Sequence, residues 1–324
     1  MVKSVRVHAY GGPEALVYED VTVGEPGPGQ ARIRQTAVGL NYIDTYHRTG
    51  LYKLPSLPHA LGVEGAGVVE AVGDGVTNVK PGDKVCYGSI LGAYAEVRNV
   101  PAERLLALPD GISDVIAAGI MLKGMTARYL VRVTYPIKKG DTVLIHAAAG
   151  GVGLIACQWA KHLGATVIGT VGSEEKAALA KSHGCDHPIN YTRENFVERV
   201  KEITGGKGLP VVYDSVGKDT WEGSLDCLAP RGMMVSFGNA SGPVAPFSIL
   251  TLSQKGSLFL TRPTLAHYII TRAEYEETAN DLFGVITSGA VKIEVNQRYA
   301  LKDVAQAHID LESRKTTGST VLIP

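Results

Sequence analysis

The sequence predicts an α/β protein in which a mainly β region precedes a mostly parallel sheet covered by helices. Three observations support this prediction. The chain has 324 residues, and a prior of about 150 residues per domain divides that length into two domains. Short strands separated by glycine and proline fill the part before Pro109, and strands alternate with helices after it. Such alternation is typical of parallel strands with helices on both faces.

The part before Pro109 is predicted to be mostly antiparallel. Its apolar runs are short, and turns rich in glycine and proline separate them at 25–29, 73–75 and 80–83. Proline removes a backbone donor and glycine permits positive φ, so these segments are expected to turn. The predicted strands are 4–8, 30–38, 67–72, 84–87 and 94–97.

The part after Pro109 is predicted to begin with a helix over 113–133, with Ser113 and Asp114 as capping residues. Apolar, β-branched runs then alternate with segments of helical spacing. The predicted strands are 142–147, 166–171, 187–190, 210–216, 233–237, 257–261 and 319–323, and the predicted helices are 152–163, 174–183, 195–204, 221–228 and 273–287.

Charge and composition argue against several classes of protein. Lys plus Arg and Asp plus Glu both number 32, so no bulk field attracts nucleic acid or anionic lipid. Nucleic acid is therefore not expected as the main ligand. The apolar segment 142–160 contains His146, Gln158 and the pair Gly150-Gly151. A strand, a turn and a helix explain it better than a membrane span, so no membrane partner is expected.

The cysteines and the first residues predict a reducing compartment. Cys86, Cys157, Cys185 and Cys227 lie far apart in the sequence and form no Cys-x-x-Cys pair, so a disulfide framework or a clustered zinc site is improbable. The first seven residues alternate like a strand and lack the apolar core of a secretion signal. A cytoplasmic location is expected.

The strongest local signal is the segment 147–153, of the form A-x-x-G-x-x-G, between a predicted strand and a predicted helix. Glycine lets the backbone turn sharply and approach a pyrophosphate, and the last glycine lets the helix pack close to the strand. The motif therefore predicts dinucleotide binding at Gly150, Gly151, Val152 and Gly153. A tight turn without a ligand is the alternative.

The end of the second strand of this region favours NADPH over NADH. An acidic side chain there would select the free ribose hydroxyl of NAD, but the sequence runs Thr170-Val171-Gly172-Ser173. A hydroxyl at Ser173 and a cation at Lys176 are both able to contact a ribose phosphate. The alternative is that Ser173 is only an N-cap and that Lys176 is solvated.

Several motifs in a fixed order carry a resemblance to a known family. They are 11–14 (GGPE), 39–46 (GLNYIDTY), the run 50–58, 61–69 (LGVEGAGVV), 81–85 (PGDKV), the glycine turn with its helix through Lys161, 189–191 (INY), 212–217 (VYDSVG) and 237–242 (FGNASG). With these motifs the sequence resembles the zinc-free NADPH:quinone oxidoreductase branch, also called the zeta-crystallin type, of the medium-chain dehydrogenase/reductase superfamily. The resemblance spans almost the whole chain.

The resemblance implies a Rossmann doubly wound parallel sheet inserted into a GroES-like, mainly β catalytic domain. The expected boundaries are 1–125 for the first part of the catalytic domain, 126–262 for the NADPH-binding domain and 263–324 for the return to the catalytic domain. It also implies a homodimer that pairs edge strands near 257–261, since a bare apolar edge would be an aggregation liability.

The resemblance further implies the residues of the cofactor site. The nicotinamide side is expected to involve Asn41, Tyr42, Asp44, Thr45, Tyr46, Lys123, Thr126 and Tyr129. The adenosine phosphate is expected to meet Gly172, Ser173, Lys176, Tyr191 and Arg314. The remaining cofactor path is expected to involve Ser215, Phe237, Gly238, Asn239, Ala240, Pro263, Thr264 and Leu265.

Asn41, Tyr46 and Tyr52 are the candidate catalytic residues. The tyrosines offer flat amphipathic rings and phenolic donors for a quinone oxygen, and Asn41 is able to hold the carboxamide or the ribose. Packing on a glycine-rich loop is the alternative role of the tyrosines.

No metal is expected. Zinc alcohol dehydrogenases have a G-H-E motif with a ligand histidine, whereas this chain has Gly62-Val63-Glu64 and no cysteine near 41–46. His47 and His59 are isolated histidines, a pattern more typical of surface or structural groups than of ligands.

The resemblance implies NADPH-dependent reduction of quinones by hydride or electron transfer without zinc. Two alternatives remain open. One is reduction of the activated double bond of an enone or alkenal. The other is an NADPH-retaining binding protein, either RNA-binding or structural like a crystallin.

Overall fold

The computed structural model describes all 324 residues, which divide into two compact units. The first unit comprises Met1–Lys123, Ile269–Phe283 and Ile293–Pro324, and the second unit comprises Gly124–Tyr268 and Gly284–Lys292. The domain boundaries expected from the sequence fall after residues 125 and 262. The boundaries between the two units fall after residues 123 and 268. The short segment Gly284–Lys292, expected in the return, lies in the second unit.

Sixteen strands are present, numbered in chain order. They are β1 Val2–Val7, β2 Leu16–Val21, β3 Gln30–Leu40, β4 His59–Ala60, β5 Glu64–Val72, β6 Lys84–Gly88, β7 Val97–Pro101, β8 Leu106–Ala107, β9 Thr142–Ile145, β10 Thr166–Val171, β11 His187–Asn190, β12 Leu209–Asp214, β13 Leu228–Ser236, β14 Phe259–Thr261, β15 Val295–Ala300 and β16 Ser319–Ile323.

Ten α-helices are present. They are α1 Tyr42–Thr49, α2 Asp114–Ala118, α3 Met121–Tyr129, α4 Gly151–His162, α5 Glu174–Ser182, α6 Phe196–Thr204, α7 Trp221–Asp226, α8 Leu250–Gln254, α9 Arg272–Thr287 and α10 Val304–Glu312. A π-helical turn, Leu130–Thr134, follows α3. None of these helices has the length and apolar character needed to cross a membrane.

The first unit is built on two sheets. A seven-stranded sheet has the order β15-β16-β3-β5-β6-β8, with β7 also paired to β3, and a three-stranded sheet has the order β2-β1-β4. Apart from the parallel pair β15-β16, these pairs are antiparallel. Val5, Ile33, Leu61 and Tyr94 are fully buried in the core between these elements. The predicted antiparallel character of this region is confirmed.

The second unit contains a six-stranded sheet of order β11-β10-β9-β12-β13-β14, in which every pair is parallel. The strand order reverses between β9 and β12, because later strands are added on the β10 side first and then on the β12 side. Ligands of such sheets bind at the carboxyl ends of the strands beside this switch point. The predicted doubly wound parallel sheet is therefore confirmed.

The single helix predicted over 113–133 is wrong, because the chain breaks it at Gly119. The hydroxyl of Ser319 donates to the Gly119 carbonyl at 2.7 Å, and a Glu64 carboxylate oxygen accepts the Leu122 N–H at 2.6 Å. Groups from β16 and β5 thus replace the hydrogen bonds that a continuous helix would make, and α2 and α3 result. Contacts between residues this distant in sequence are not visible in a local pattern.

Two further local predictions differ from the structure. Helix α1 was not predicted, since 42–49 is largely polar; it forms because Asn41 is the N-cap and Asp44 accepts the Asn41 N–H at 2.8 Å. It ends at Gly50, whose φ of 79° suits glycine. The strand expected over 94–97 lies instead at Val97–Pro101. Tyr94 precedes this strand, and its backbone N–H donates to Leu61 O.

Candidate functional site

The turn between β9 and α4 is shaped to receive an anion. Ala147 has a left-handed φ of 53°, and its carbonyl accepts the Gly150 N–H at 2.9 Å. A Cβ on Gly153 would lie 2.2 Å from that carbonyl oxygen, so only glycine fits there. Gly150 is the N-cap and supplies no side-chain hydrogen bond to the first turn of α4. The first N–H groups of a twelve-residue helix are thus left without a side-chain cap, which is the usual arrangement of a phosphate site.

Several residues predicted to contact the adenosine phosphate lie near the end of β10. Ser173 is the N-cap of α5, and its oxygen accepts the Lys176 N–H at 3.2 Å. The capping role is therefore real. The same hydroxyl also donates to the Glu175 carboxylate, and the backbone N–H of Glu175 and this hydroxyl together lower the pKa of that carboxyl group. A Cβ on Gly172 would lie 2.8 Å from the Tyr191 hydroxyl oxygen, so this glycine lets Tyr191 lie close to the strand end.

Glu174, the first acidic residue after β10, is already paired with neighbouring side chains. Glu174 accepts a hydrogen bond from Asn190 Nδ2 at 2.7 Å and pairs with Arg193 at 3.3 Å. Its carboxylate is thus already partnered by an amide and a guanidinium.

The loops after β12 and β13 pack backbone against backbone. The Ala240 N–H donates to Ser215 O at 3.2 Å, and a Cβ on Gly238 would lie 2.3 Å from the same oxygen. Asn239 donates to Gly238 O and accepts from Arg262, both at 3.0 Å, when its amide is oriented to satisfy both groups. Ser215, Phe237, Gly238, Asn239 and Ala240 are therefore brought together at the carboxyl ends of these strands.

A buried polar network that the sequence did not reveal supports these loops. Asp214, fully buried at the end of β12, accepts the Val216 and Gly217 N–H groups at 2.8 and 2.9 Å. The hydroxyl of Ser224 donates to the same carboxylate at 2.9 Å. His146 Nε2 lies 2.9 Å from the Ser224 hydroxyl, and its Nδ1 lies 2.8 Å from the hydroxyl of Thr170. Burial lowers the pKa of His146, so the imidazole is neutral and joins the ends of β9 and β10 to helix α7.

In the first unit, Asn41 and Lys123 meet at one carboxylate. Glu64 Oε1 accepts hydrogen bonds from Asn41 Nδ2 at 2.7 Å and from Lys123 Nζ at 2.8 Å. All three side chains are buried. Asn41 and Lys123 were predicted from the sequence, whereas Glu64 was noted only as part of a motif.

Asp44 lies in a second buried chain of polar groups. Its Oδ2 accepts from the Tyr94 hydroxyl at 2.8 Å, and that hydroxyl lies 3.2 Å from His308 Nε2. Arg48 Nη1 lies 2.9 Å from His308 Nδ1, and Arg48 Nη2 donates to Glu312 at 2.8 Å. Burial raises the pKa of Asp44 to about 7, against the opposing hydrogen bonds of Tyr94 and Asn41. The residues beyond Asp44 were not predicted, because α1 itself, which contains Arg48, was not predicted and the others come from two distant parts of the chain.

Three predicted tyrosines lie along α1 and the loop after it. The rings of Tyr42 and Tyr46 are 6.2 Å apart, and the rings of Tyr46 and Tyr52 meet edge to face at 5.2 Å. All three side chains are partly exposed. Burial raises the pKa of Tyr42, which therefore stays protonated as a donor at neutral pH.

The remaining predicted residues divide between the units. Tyr129 stacks on Tyr268 with ring centroids 4.4 Å apart, and Thr126 precedes it on α3. Pro263, Thr264 and Leu265 follow β14 in the second unit. Arg314, expected with Ser173 and Lys176, belongs to the first unit, whereas those two belong to the second. Predicted site residues thus occur in both units.

Comparison with known proteins gives two family matches and full-length relatives. Residues 151–284 match the family described as zinc-binding dehydrogenase, and residues 27–110 match the alcohol dehydrogenase GroES-like domain. A quinone oxidoreductase of Pseudomonas aeruginosa is 58% identical, with 100% of each chain covered. A 2-haloacrylate reductase of Burkholderia is 50% identical, covering 100% of this chain and 99% of that protein. The crystal structure of Escherichia coli quinone oxidoreductase complexed with NADPH matches with a TM-score of 0.98 and 53% identity, covering 99% of this chain and 100% of that one.

The zinc in the first family description does not fit the residues present. No three His, Cys, Asp or Glu side chains form a group able to hold an ion. All four cysteines are buried thiols, and burial raises the pKa of Cys86 and of Cys227 to about 12, which disfavours the thiolate that zinc requires.

Proposed function

The chain belongs to the quinone oxidoreductase family of the medium-chain dehydrogenase/reductase superfamily, and from that membership we propose that it reduces quinones with NADPH. The observation that supports this most directly is the turn from Ala147 to Gly153 at the switch point of a doubly wound sheet. Its uncapped helix N-terminus and its obligatory glycine match what a dinucleotide pyrophosphate needs.

The second unit would bind the adenosine and phosphate parts of the cofactor. The N–H groups of Gly151 and Val152 would meet the pyrophosphate, and the Ser173 hydroxyl with the Lys176 ammonium would meet the ribose phosphate. The loops held by Asp214 would line the rest of the cofactor path. The lack of an acidic side chain at the end of β10, where the chain runs Val171-Gly172-Ser173, supports NADPH over NADH.

The first unit would supply the polar contacts for the nicotinamide and the acceptor. When bound, NADPH supplies a hydride, so the protein has only to hold an electron-poor acceptor in place. The Asn41 amide, fixed by Glu64, would contact the carboxamide or the ribose. The partly exposed phenols of Tyr46 and Tyr52 would donate to an acceptor oxygen and cover one face of its ring.

A second acceptor class has a specific observation in its favour. The relative named 2-haloacrylate reductase is 50% identical over the whole chain. Its named substrate is an activated alkene, and the acceptor contacts proposed above would also hold such a molecule. Reduction of an activated double bond is therefore the alternative function.

We also propose a homodimer through the edge of the six-stranded sheet. β14 is the last strand of that sheet and pairs only with β13 among its strands. Phe259 on β14 is 58% exposed, and Ile249 and Leu250, at the start of α8, are 80% and 57% exposed. An uncovered apolar edge of this kind favours strand pairing with a second copy.

Turnover with different acceptors tests the function. Purified protein would be mixed with NADPH or NADH and with p-benzoquinone, an alkyl enone or 2-chloroacrylate, and nicotinamide absorbance would be followed and corrected for the uncatalysed reaction. Fast quinone turnover with NADPH is expected. Turnover only with the alkenes would replace the quinone assignment, and no turnover with any acceptor would contradict both.

A further inference from the structure

Glu64 is a buried carboxylate of the first unit with hydrogen bonds at both of its oxygens. It begins β5, is 0% exposed, and accepts three hydrogen bonds. Oε1 accepts hydrogen bonds from Asn41 Nδ2 at 2.7 Å and from Lys123 Nζ at 2.8 Å. Oε2 accepts one from the Leu122 N–H at 2.6 Å. One side chain thereby ties the cap of α1 and the first turn of α3 to the central sheet.

Stability alone is a weak reason for this arrangement. Burying a carboxylate and an ammonium costs desolvation energy, and an apolar pair of similar volume is often at least as stable. The carboxylate also lies close to the backbone of β3, since a Cβ on Gly39 would lie 2.2 Å from Glu64 Oε1. The same Cβ would lie 2.3 Å from the Ala118 carbonyl oxygen, so the carboxylate and this carbonyl together require a glycine near the end of β3.

A carboxylate imposes an orientation that an amide or an apolar group would not. A carboxylate only accepts, so the Asn41 amide must present its NH2 to Glu64 and its carbonyl oxygen elsewhere. Lys123 is likewise held by one of its three N–H groups, which leaves two for other partners. The identity of the group at position 64 therefore determines which atoms of Asn41 and Lys123 are available to a ligand.

We propose that Glu64 is a positioning residue of the reaction site, which sets the orientation of the Asn41 amide and of the Lys123 ammonium for the nicotinamide and the acceptor. The inference rests on the proposed function, since it assigns these two residues to that end of the cofactor. Glu64 itself acts through them.

Glu64→Gln is the main test, because it keeps the size of the side chain but lets an NH2 group face Asn41, Lys123 or the Leu122 N–H. We expect kcat/KM for p-benzoquinone with NADPH to fall about 100-fold, the loss typical of a misplaced reacting group. Glu70→Gln is the matched control: Glu70 lies on the same strand but is paired at the surface with Arg34. We expect its kcat/KM to stay within twofold.

Binding of 2′,5′-ADP separates positioning from a general loss of structure. This fragment carries only the adenosine phosphates, whose proposed ligands lie mainly in the second unit, whereas Glu64 lies in the first. We expect Glu64→Gln to keep 2′,5′-ADP affinity within twofold of the wild type while NADPH affinity and quinone turnover fall. A parallel loss of 2′,5′-ADP and NADPH binding in folded protein would overturn the inference.

Glu64→Asp decides the question if Glu64→Gln does not fold. It keeps the charge beside Lys123 but withdraws the carboxylate by one methylene, so turnover is expected to fall at least fivefold with 2′,5′-ADP binding retained. Unchanged turnover in both folded variants would overturn the proposal. Wild-type protein that oxidises no NADPH with any acceptor would instead contradict the proposed function, so the two failures are distinguishable.

Discussion

The hydroxyl of Tyr94 donates to Oδ2 of Asp44 at 2.8 Å, and both side chains are fully buried. The same hydroxyl lies 3.2 Å from Nε2 of His308. Because Arg48 can only donate to Nδ1 of that ring, the neutral tautomer carries its proton on Nε2 and donates towards Tyr94. The hydrogen bonds therefore run in one direction, from Arg48 to Asp44, and they fix α1 to the C-terminal helix α10.

Asp44→Asn should remove a pH dependence of the free energy of unfolding. The pKa of Asp44 is raised from 3.8 to about 7, so in this range the folded state holds a proton that the unfolded state has lost. The stability from Asp44 is fully present below about pH 4 and is lost as pH rises to 7, at about 1.4 kcal/mol per pH unit. Urea unfolding should show the variant gaining about 2–3 kcal/mol relative to wild type between pH 5 and pH 7. The exposed Asp74→Asn is the control and should show no such gain.

His308→Gln should have the opposite effect. Burial and the Arg48 charge lower the pKa of His308 from 6.5 to about 3, so only the unfolded state takes up a proton between these values. The stability from His308 is present above pH 6.5 and is lost as pH falls. Glutamine is able to keep both hydrogen bonds, and the variant should gain stability relative to wild type as pH falls from 6.5 to 4.5, at about 1.4 kcal/mol per unit. An equal gain in the exposed His267→Gln would contradict this account.

Gly153→Ala should impair the nucleotide turn. The new Cβ would lie 2.2 Å from Ala147 O, so the turn has to move, at a cost of about 1–3 kcal/mol in the free energy of unfolding. We expect NADPH affinity to fall more than tenfold in a fluorescence titration, because the N–H groups of α4 are displaced. Gly284→Ala, on α9 with open space around its Cβ, is the control and should stabilise by about 1 kcal/mol. Unchanged NADPH affinity in Gly153→Ala would remove this turn from the binding site.

Lys176→Glu should discriminate between the two nicotinamide cofactors. An anion beside the proposed ribose phosphate is expected to raise the KM for NADPH at least tenfold and to leave that for NADH within twofold. Lys181→Glu, exposed in the last turn of the same helix, is the charge-matched control. Equal losses for both cofactors, or an equal effect of the control, would refute the phosphate assignment.

Phe259→Lys should separate the proposed dimer. A charge on the exposed face of β14 opposes pairing with a second copy. Sedimentation at micromolar concentration is expected to show a dimer for wild type and for Tyr18→Lys, an exposed site on β2, and a monomer for Phe259→Lys. A wild-type monomer would contradict the proposal.

Much of the second unit was predictable because its signals are local. The strand Thr166–Val171 and the short strand His187–Asn190 have the predicted bounds, since β-branched or apolar residues and turn residues mark them directly. The glycine turn was visible for the same reason. Its need for Gly153 follows from one carbonyl six residues away.

The partners of the site residues were not predictable. Glu64 and Lys123 are 59 positions apart, and Arg48 and His308 are 260 apart, so no periodicity joins them. The capping of α3 by Glu64 also broke a helix that the local spacing predicted. His146 was noted only as a polar residue in an apolar run, and its partners come from β10 and from helix α7.

A single turnover tests the central claim most directly. Protein loaded with an equal amount of NADPH would be mixed with excess p-benzoquinone in a stopped-flow instrument, and the loss of nicotinamide absorbance would be compared with the same reagents without protein. The account predicts decay at least 100-fold faster with protein, and a strong slowing by Glu64→Gln but not by Glu70→Gln, as expected when positioning provides the rate. Decay at the uncatalysed rate, with NADPH bound, would contradict it.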